Sequence, residues 1–350
     1  MRLKPAQELR IDRHELAGSF GDIGVMAPLA VALITVNQLN ATVVLGAAGL
    51  LYIFGGLYFR IPMPVQPLKA TAAIALASWE RISDGHLFSG GAPQHLDIGG
   101  ALIPAGLLLG AVSAAIFLAT RRRGKLPSSV AVLSFGALAG LALGGIGRDV
   151  LSLGPDLAVT GFPSRQEFHF ALITLVLPQI PLTFGNSVVA TADVSHRYFG
   201  PAAGRVTPSS LCASLGIANV IGGLVGAMPM CHGSGGITAH YRFGARTGGA
   251  TIAIGAMFLL LALALGSSAV AILGMIPLAV LGFLLFYIGL EHALLARDLR
   301  NDLPGSILAA AVALASMVFG SLIWGLALGL AATGVKSLLA RLLRPEAGCA

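Results

Sequence analysis

Two segments rich in proline or glycine carry polar side chains that could bind an anion. The first, residues 61–69, contains three prolines, the amide of Gln66 and the ammonium group of Lys69. Because proline lacks an N–H and disfavours helix in the residue before it, this segment should run extended to about Pro64 before a helix can begin. The second, residues 228–236, contains three glycines, which let the backbone approach another group closely. Both segments predict a helix that begins part-way through an apolar region.

A helix that begins inside an apolar region presents unpaired N–H groups and the positive end of its dipole to a site where water is scarce. An anion suits this environment. Each terminus contributes only about 0.3–1 kcal/mol when exposed, and up to about 2 kcal/mol when partly buried, so a dianion would need further donors and a cation. Gln66, Ser234 and Thr238 are the expected donors, and Lys69 is the expected cation. Lys69 could instead extend to the membrane surface or pair with Asp22.

Other polar residues within apolar stretches are open to two interpretations. Asp22 lies early in the stretch 18–37, where a carboxylate is costly unless it faces a cavity or a partner. It could titrate as a coupling group, or it could accept hydrogen bonds from backbone N–H groups of a helix broken by glycine. Gln179 and Asn186 could face the substrate or could join helices by hydrogen bonds. His232 could be a hydrogen-bonded neighbour of the helix start, a proton carrier or a metal ligand.

The sequence contains no motif that predicts catalysis or a bound cofactor. H-E-x-x-H, G-x-S-x-G, Walker and Cys/His zinc patterns are missing from the sequence. The three cysteines are Cys212, Cys231 and Cys349, and their number and spacing predict neither a disulfide framework nor a zinc site. We therefore expect no enzymatic activity, no cofactor and no metal.

The composition indicates which elements must position these residues. Of 350 residues, 56% are hydrophobic and 11% are charged, whereas a soluble domain carries about a quarter charged residues. The bilayer is therefore the expected solvent. The formal net charge of +7 does not predict nucleic-acid binding, because the basic residues lie in short loops between apolar stretches.

The apolar stretches predict an all-α polytopic membrane protein with about twelve spans, within a range of ten to fourteen. The expected spans are 18–37, 41–59, 64–79, 97–119, 128–146, 167–191, 209–227, 232–245, 248–265, 269–290, 304–318 and 320–340. Ser164 and Glu167 have the spacing of a capping box at the start of the sixth span. The last two spans could also be one bent helix and a tail.

The distribution of basic residues predicts that both termini are cytoplasmic, in a bacterial-type inner membrane. With alternating spans, the basic loops 121–125, 197–205, 242–246 and 297–300 all fall on the inner side, which matches the positive-inside rule. The first fifteen residues are charged and lack an apolar core, so no cleavable signal peptide is expected.

An internal repeat relates the two polar segments. Aligning residues 53–69 with 220–236 matches the glycine pair before each segment and the Pro-Met pair within it. On the predicted topology the two copies run in opposite directions. Paired short segments of this kind are a sequence indication of a transporter's binding site. We therefore expect one transmembrane domain over residues 1–350, with inverted repeats at about 15–150 and 165–340 and two half-helices that meet at the bilayer midplane.

The polar segments also resemble the motifs of a known family. Residues 64–69, 228–236 and 241–248 look like the hallmark motifs of the molybdate transporter family of plants, fungi and bacteria. Residues 21–24 and 177–183 resemble that family as well. The family is a relative of the sulfate permeases and, more distantly, of the uracil permeases, so the resemblance implies core and gate domains that move by alternating access.

The resemblance also implies a set of substrate-binding residues. It assigns Gln66 and Lys69 from the first motif, and His232, Gly233, Ser234 and Gly235 from the second. Two residues depart from the family pattern: Leu68 replaces a usual methionine, and Ser234 replaces a usual alanine. Neither change removes a donor. The regulatory domain that sulfate permeases usually carry after the last span is not expected here.

The leading functional hypothesis is a secondary transporter of molybdate, with tungstate and sulfate as further substrates and with coupling to protons or another ion. The alternatives are a permease of the same fold for sulfate, another anion or a nucleobase, and an anion channel or non-transporting sensor. Besides the oxyanion and the lipid bilayer we expect no nucleic-acid partner, and a homodimer is left open.

Overall fold

The structure is a computed structural model. It describes residues 8–36, 39–68, 95–98, 101–123, 128–143, 153–156, 161–319 and 322–342. The predicted cation Lys69 and most of the predicted span 64–79 lie outside the described residues.

The described residues are mostly helical. The helices are α1 (Arg13–Ser19), α2 (Ile23–Val36), α3 (Ala41–Phe59), α4 (Ala105–Arg123), α5 (Ser128–Ala142), α6 (Arg165–Ala171), α7 (Leu177–Leu182), α8 (Thr191–Phe199), α9 (Pro208–Val225), α10 (Ser234–Arg242), α11 (Gly249–Leu265), α12 (Ser268–Gly274), α13 (Leu278–Ala293), α14 (Leu303–Val318) and α15 (Leu322–Leu342). Four two- to four-residue strands accompany them, namely β1 (Gln66–Pro67), β2 (His95–Ile98), β3 (Ala101–Pro104) and β4 (Met230–Cys231).

The first predicted span is a helix with a tightened segment near its start. Asp12 caps α1 by accepting from the backbone N–H groups of His14 and Glu15. A short 3₁₀ segment, Phe20–Asp22, then joins α1 to α2. The 3₁₀ segment packs against α10, the helix that begins in the second polar segment.

Glycines allow two long helices, α3 and α11, to pack at close range. A Cβ added to Gly49 would lie 2.7 Å from the carbonyl oxygen of Gly255, and a Cβ added to Gly255 would lie 2.6 Å from the carbonyl oxygen of Gly49. Only glycine allows this backbone approach. The largest hydrophobic cluster lies around these helices and includes the buried side chains of Tyr52 and Phe258.

The chain reverses direction directly after α3. Arg60 adopts a left-handed conformation with φ of 62°, and its N–H donates to the carbonyl oxygen of Gly56. The carbonyl oxygen of Arg60 accepts from Gly248, at the start of α11. Residues 61–65 then lie buried without regular structure, and β1 follows them. The extended conformation was predicted, but it continues to Leu68 rather than ending at about Pro64.

Strands β1 and β4 pair in antiparallel orientation, with Gln66 opposite Cys231 and Pro67 opposite Met230. The two polar segments, far apart in sequence, are therefore adjacent in the structure. A second pair, β2 and β3, forms a short hairpin. The described fold is predominantly helical, as predicted, and β1 and β4 are a local exception, because the prolines that prevent helix formation leave backbone groups free to pair between segments.

Several predicted span boundaries also differ from the structure. The predicted span 97–119 begins in strands β2 and β3, and its helix starts only at Ala105. The predicted span 269–290 is two helices, because α12 ends at Gly274 and α13 begins after Pro277. Proline at this point cannot donate a helical hydrogen bond.

The predicted span 167–191 is longer than expected. It starts at Arg165, with the predicted capping box of Ser164 and Glu167 present, and its helical conformation runs to Phe199. Two π-helical segments, Leu172–Val176 and Thr183–Ala190, interrupt its α-helical geometry. At the other end of the chain, α14 and α15 pack against each other as two helices, which excludes one bent helix over 304–340.

Among the described residues, three helical segments are long and apolar enough to cross a membrane: Ala41–Phe59, Pro208–Val225 and Leu278–Arg297. Four shorter apolar helices accompany them, namely Ala105–Arg121, Ser128–Ala142, Gly249–Leu265 and Leu303–Val318. The count of twelve spans, the inverted repeats and the division into core and gate domains therefore stay predictions.

Candidate functional site

The candidate site lies where β1 and β4 meet the start of α10. Besides the strand pairing, the N–H of Leu68 donates to the carbonyl oxygen of Pro229 over 3.0 Å. Gly233 is the extended residue before α10. The N–H of Gly236 is the first in this helix to form a helical hydrogen bond, and its acceptor is the carbonyl oxygen of Gly233. The first N–H groups of a helix have no partner within it. The buried strands thus direct the positive end of α10 into the protein interior.

Asp22 is fully buried beside β1 and accepts hydrogen bonds from two side chains. The hydroxyl of Tyr52 donates to Oδ2 over 2.9 Å, and the amide nitrogen of Gln66 donates to Oδ1. Both of these donors are side chains. One alternative from the sequence was that Asp22 accepts from backbone N–H groups. Asp22 therefore fixes the orientation of the Gln66 amide, which was expected to donate to substrate.

That orientation places the amide oxygen of Gln66 against the start of α10. A Cβ added to Gly233 would overlap this oxygen, so only glycine fits there. Gln66 is 1% exposed, and within the described part of the chain its Oε1 has no hydrogen-bond partner. By contrast, a Cβ added to Gly235 would meet no described atom within 4 Å. The start of α10 is therefore packed against Gln66 on one side and open on the side of Gly235.

His232 contacts the first polar segment through one ring nitrogen and α9 through the other. Nδ1 lies 2.8 Å from the carbonyl oxygen of Pro64, and Nε2 lies 3.0 Å from the hydroxyl oxygen of Ser214. Because a carbonyl oxygen only accepts, Nδ1 carries the hydrogen and Nε2 of the neutral ring accepts from Ser214. The ring also packs edge-on against Phe59, with centroids 5.7 Å apart. This geometry favours the structural alternative for His232, and its assignment as a substrate-binding residue stays a prediction.

Ser234, the first residue of α10, joins this helix to the second π-helical segment. Its hydroxyl donates to Oδ1 of Asn186 over 2.8 Å. The hydroxyl of Thr191 donates to the backbone oxygen of Asn186 over 2.9 Å. The same hydroxyl lies 3.4 Å from the backbone oxygen of His232. The π-helical widening therefore brings Asn186 to the start of α10, where the sequence had placed it among the candidate substrate-binding residues.

The remaining predicted site residues are positioned differently. The hydroxyl of Thr238 lies one turn into α10 and donates to the carbonyl oxygen of Ser234 over 3.3 Å. Gln179 is buried on α7, and its amide donates to Thr183 on the same helical segment over 3.4 Å. The start of α10 thus has Gln66 packed against Gly233 and Asn186 hydrogen-bonded to Ser234. Lys69, as noted, lies outside the described residues.

The sequence analysis missed a residue that holds β4 in place. The Asn219 side chain accepts from the N–H of Met230 and donates to its carbonyl oxygen, both over 2.8 Å. It therefore replaces a strand partner for Met230. One feature of the sequence could have identified Asn219: its side-chain amide lies within the apolar helix α9, where an unpaired polar group would be costly.

A groove in the described structure is separate from the start of α10. It has a volume of about 560 Å³ and lies between α3 and α9, with a predominantly apolar lining. Ser214 and Met230 contribute to its wall. It offers no charged group to an oxyanion, so we do not assign the site to it. No group of three or more His, Cys, Asp or Glu side chains with the geometry of a metal site occurs among the described residues.

Comparison of the amino-acid sequence with known proteins identifies its family. A family model described as "Molybdate transporter of MFS superfamily" matches residues 14–143 and 171–291. Molybdate transporter 2 of Arabidopsis thaliana is 28% identical over 379 residues, covering 82% of this chain and 79% of that protein. Molybdate transporter 1 of Chlamydomonas reinhardtii is also 28% identical, covering 82% of this chain and 84% of that protein.

A solved structure shows a similar fold. The structure of SLC26A9 matches with a TM-score of 0.54 and 14% sequence identity, covering 93% of this chain. This chain spans 65% of the length of that protein's chain. The similarity therefore concerns the fold alone. The match to a transporter family supports an integral membrane protein. Because the family model matches more than half of its residues, the chain belongs to the molybdate transporter family.

Proposed function

We propose that this protein is a secondary transporter that carries molybdate across the membrane by alternating access. The observation that carries the proposal is the meeting of two extended segments at the start of α10, beside the buried amide of Gln66. A buried helix start with an open side at Gly235 suits an anion. Tungstate and sulfate are proposed as further substrates, because they are also tetrahedral dianions.

Three groups would bind the oxyanion. The first N–H groups of α10 would donate to it, and the hydroxyl of Ser234 would do so after leaving Asn186. Lys69 directly follows the described part of the first segment and would supply the positive charge. A partly buried helix terminus contributes up to about 2 kcal/mol, so most of the affinity should depend on the side chains.

The relatives support the choice of molybdate over other oxyanions. The curated proteins from Arabidopsis thaliana and Chlamydomonas reinhardtii are named molybdate transporters, and they match along more than four fifths of this chain. Asp22 is proposed as part of the coupling machinery, because it holds Gln66 beside the start of α10. We propose that coupling uses protons.

Binding of oxyanions to the purified protein tests the proposal. Titration calorimetry should rank molybdate and tungstate above sulfate, and sulfate above phosphate. Lys69→Ala should abolish molybdate binding and uptake into proteoliposomes while leaving expression intact. Lys336→Ala, on the exposed face of α15, is the matched control and should bind as the wild type does. Unchanged binding by Lys69→Ala would remove Lys69 from the site.

Flux measurements separate transport from the alternatives. Uptake of labelled molybdate should saturate, and unlabelled molybdate outside should accelerate efflux of label, as expected for a carrier that alternates between two sides. Currents far above carrier turnover would instead indicate a channel. Binding without flux would indicate a sensor. Following the positive-inside pattern, we also propose an inner-membrane location with both termini cytoplasmic.

A further inference from the structure

His240 is a buried histidine of α10 that has no role in the proposed anion site. It has 0% exposure, and its Nδ1 lies 2.8 Å from the carbonyl oxygen of Gly18 on α1. Because the carbonyl oxygen only accepts, Nδ1 must carry a hydrogen and donate it. In the neutral ring, Nε2 therefore carries a lone pair.

That lone pair has no hydrogen-bond donor within the described residues. His232, eight residues earlier, has both ring nitrogens paired, so an unpaired nitrogen is not a general feature of this region. A buried acceptor without a donor is unfavourable, and such exceptions call for an explanation. A proton taken up at Nε2 would convert it into a donor.

His240 also lies next to the hydrogen-bonded group that contains Asp22. Its ring meets the ring of Tyr52 edge-on with centroids 6.5 Å apart, and the Tyr52 hydroxyl donates to Asp22. A Cβ added to Gly21 would lie 3.0 Å from the backbone nitrogen of His240, so the 3₁₀ segment touches α10 at this residue. A change of charge at His240 would therefore act on the contact between the first span and the helix whose start forms the proposed anion site.

We propose that His240 is the proton-binding site of this carrier, with Nε2 as the atom that takes the proton. The inference rests on the proposed function and names the group that couples transport to protons. In the binding step, a proton from solution adds to the Nε2 lone pair and gives an imidazolium, and no other bond breaks. The positive charge offsets the charge of the incoming oxyanion at the start of the same helix. Release of the anion on the other side returns the proton to solution.

Among the histidine and carboxylate groups on α10 and the elements packed against it, two keep a buried atom without a hydrogen-bond partner among the described residues: His240 at Nε2 and Glu15 of α1 at Oε2. Asp22 accepts from Tyr52 and Gln66, and Glu15 of α1 accepts from the backbone N–H groups of Arg246 and Thr247. On α13, Glu291 pairs with Arg242, and on α8, Asp193 pairs with Arg197. Glu15 is thus the competing proton acceptor, but it contacts the turn at Arg246 and Thr247 beyond the end of α10. His240 instead packs against Tyr52, which donates to Asp22.

His240→Asn separates the two functions of the ring. The Asn amide can still donate from about the position of Nδ1 to Gly18, but it cannot take a proton at Nε2. In proteoliposomes the variant should retain molybdate exchange at equal pH within about threefold, because exchange needs no net proton movement. It should lose the stimulation of uptake by an inward proton gradient by tenfold or more. His196→Asn on α8 is the matched control and should retain both activities.

The outcomes distinguish this inference from the proposed function. Absence of molybdate exchange by the wild type would contradict the proposed function itself. Exchange by the wild type without any response to a proton gradient, or a gradient response that survives in His240→Asn, would overturn the role of His240.

A second measurement applies if His240→Asn does not fold. Proton uptake on adding molybdate can be followed with a pH dye in weakly buffered detergent solution, for the wild type and for Asp22→Asn. Uptake of about one proton that persists both in Asp22→Asn and in a matched Glu15→Gln variant supports His240, and loss of uptake in Glu15→Gln overturns the inference. Uptake that is lost in Asp22→Asn assigns the proton to Asp22 and overturns the inference.

Discussion

The hydroxyl of Tyr52 donates a 2.9 Å hydrogen bond to the carboxylate of Asp22, and both residues are fully buried. A hydrogen bond to a charged group contributes about 1.5–3 kcal/mol. Tyr52→Phe should therefore lower the melting temperature in detergent by several degrees and reduce molybdate uptake. Tyr58→Phe, on the exposed face of the same helix, should change stability by less than about 0.5 kcal/mol.

A double-mutant cycle checks that the effect passes through Asp22. Once Asp22→Asn has removed the carboxylate, Tyr52→Phe should cost much less than it does alone, with an interaction energy of roughly 0.5–3 kcal/mol. Additive effects of the two substitutions on the melting temperature would contradict the importance of this hydrogen bond.

Gly233 and Gly235 should respond differently to alanine although they are only two positions apart. At Gly233 a Cβ would overlap Oε1 of Gln66, and such overpacking costs about 1–3 kcal/mol. Gly233→Ala should therefore lower both the melting temperature and molybdate affinity. At Gly235 the Cβ would enter open space, and alanine is the better helix former by up to about 1 kcal/mol.

Gly235→Ala should accordingly keep or raise the melting temperature, yet weaken molybdate binding by blocking the open side of the helix start. Differential scanning fluorimetry and calorimetric titration measure the two effects separately. If Gly235→Ala binds molybdate as tightly as the wild type, the anion does not occupy the space beside Gly235.

The sequence was sufficient to predict that the two polar segments lie close to each other. Proline and glycine restrict the backbone locally, so the extended run before Gln66 and the helix start at Ser234 could be read from residue types. The capping box of Ser164 and Glu167 was predictable for the same reason, since both partners lie within four residues.

Contacts between distant residues could not be predicted in this way. Nothing near Gln66 in the sequence indicates that its amide would be oriented by Asp22, 44 positions away, or that Tyr52 would share that carboxylate. The pairing of Gln66 with Cys231 also depends on how the helices pack. The π-helical segment that brings Asn186 to Ser234 has no simple residue pattern, so its effect on the site emerged only from the structure.

The cap of the first helix predicts a local dependence on pH. Backbone N–H groups of Glu15 and His14 donate to Asp12 and hold the pKa of its carboxyl below the ordinary value. Because the pKa is lowered in the folded state, the cap stabilises α1 above the unfolded pKa of about 3.9 and is lost as pH falls through the folded value. Hydrogen exchange of the first amides of α1 should show less protection at pH 3 than at pH 7, after correction for the intrinsic rate.

Asp12→Asn provides the control for this effect, because asparagine caps a helix without titrating. It should show similar protection at both pH values, whereas Asp12→Ala should lose protection at both. A wild-type cap whose protection is unaffected at pH 3 would contradict the contribution of the charged form.

The other end of α10 is held by an ion pair that should matter more for stability than a second, exposed pair. Glu291 of α13 is 7% exposed, lies 3.1 Å from Arg242 and accepts from the hydroxyl of Tyr287 over 2.8 Å. Arg121 of α4 lies 3.9 Å from the same carboxylate. Removing one partner of a buried pair leaves a charge without compensation, which costs 3–5 kcal/mol when both partners are fully buried.

The side chain of Arg242 is 34% exposed, so solvent reduces the expected cost of Glu291→Gln to about 1–2 kcal/mol. The matched control is Asp193→Asn, which breaks the exposed pair with Arg197 on α8 and should cost less than about 0.5 kcal/mol. Melting temperatures in detergent at low and high salt compare the two variants. Because Arg242 ends the helix that begins at Ser234, Glu291→Gln should also alter the rate of molybdate exchange. Equal melting temperatures for the two variants would show that the Arg242–Glu291 pair does not stabilise the contact between α10 and α13.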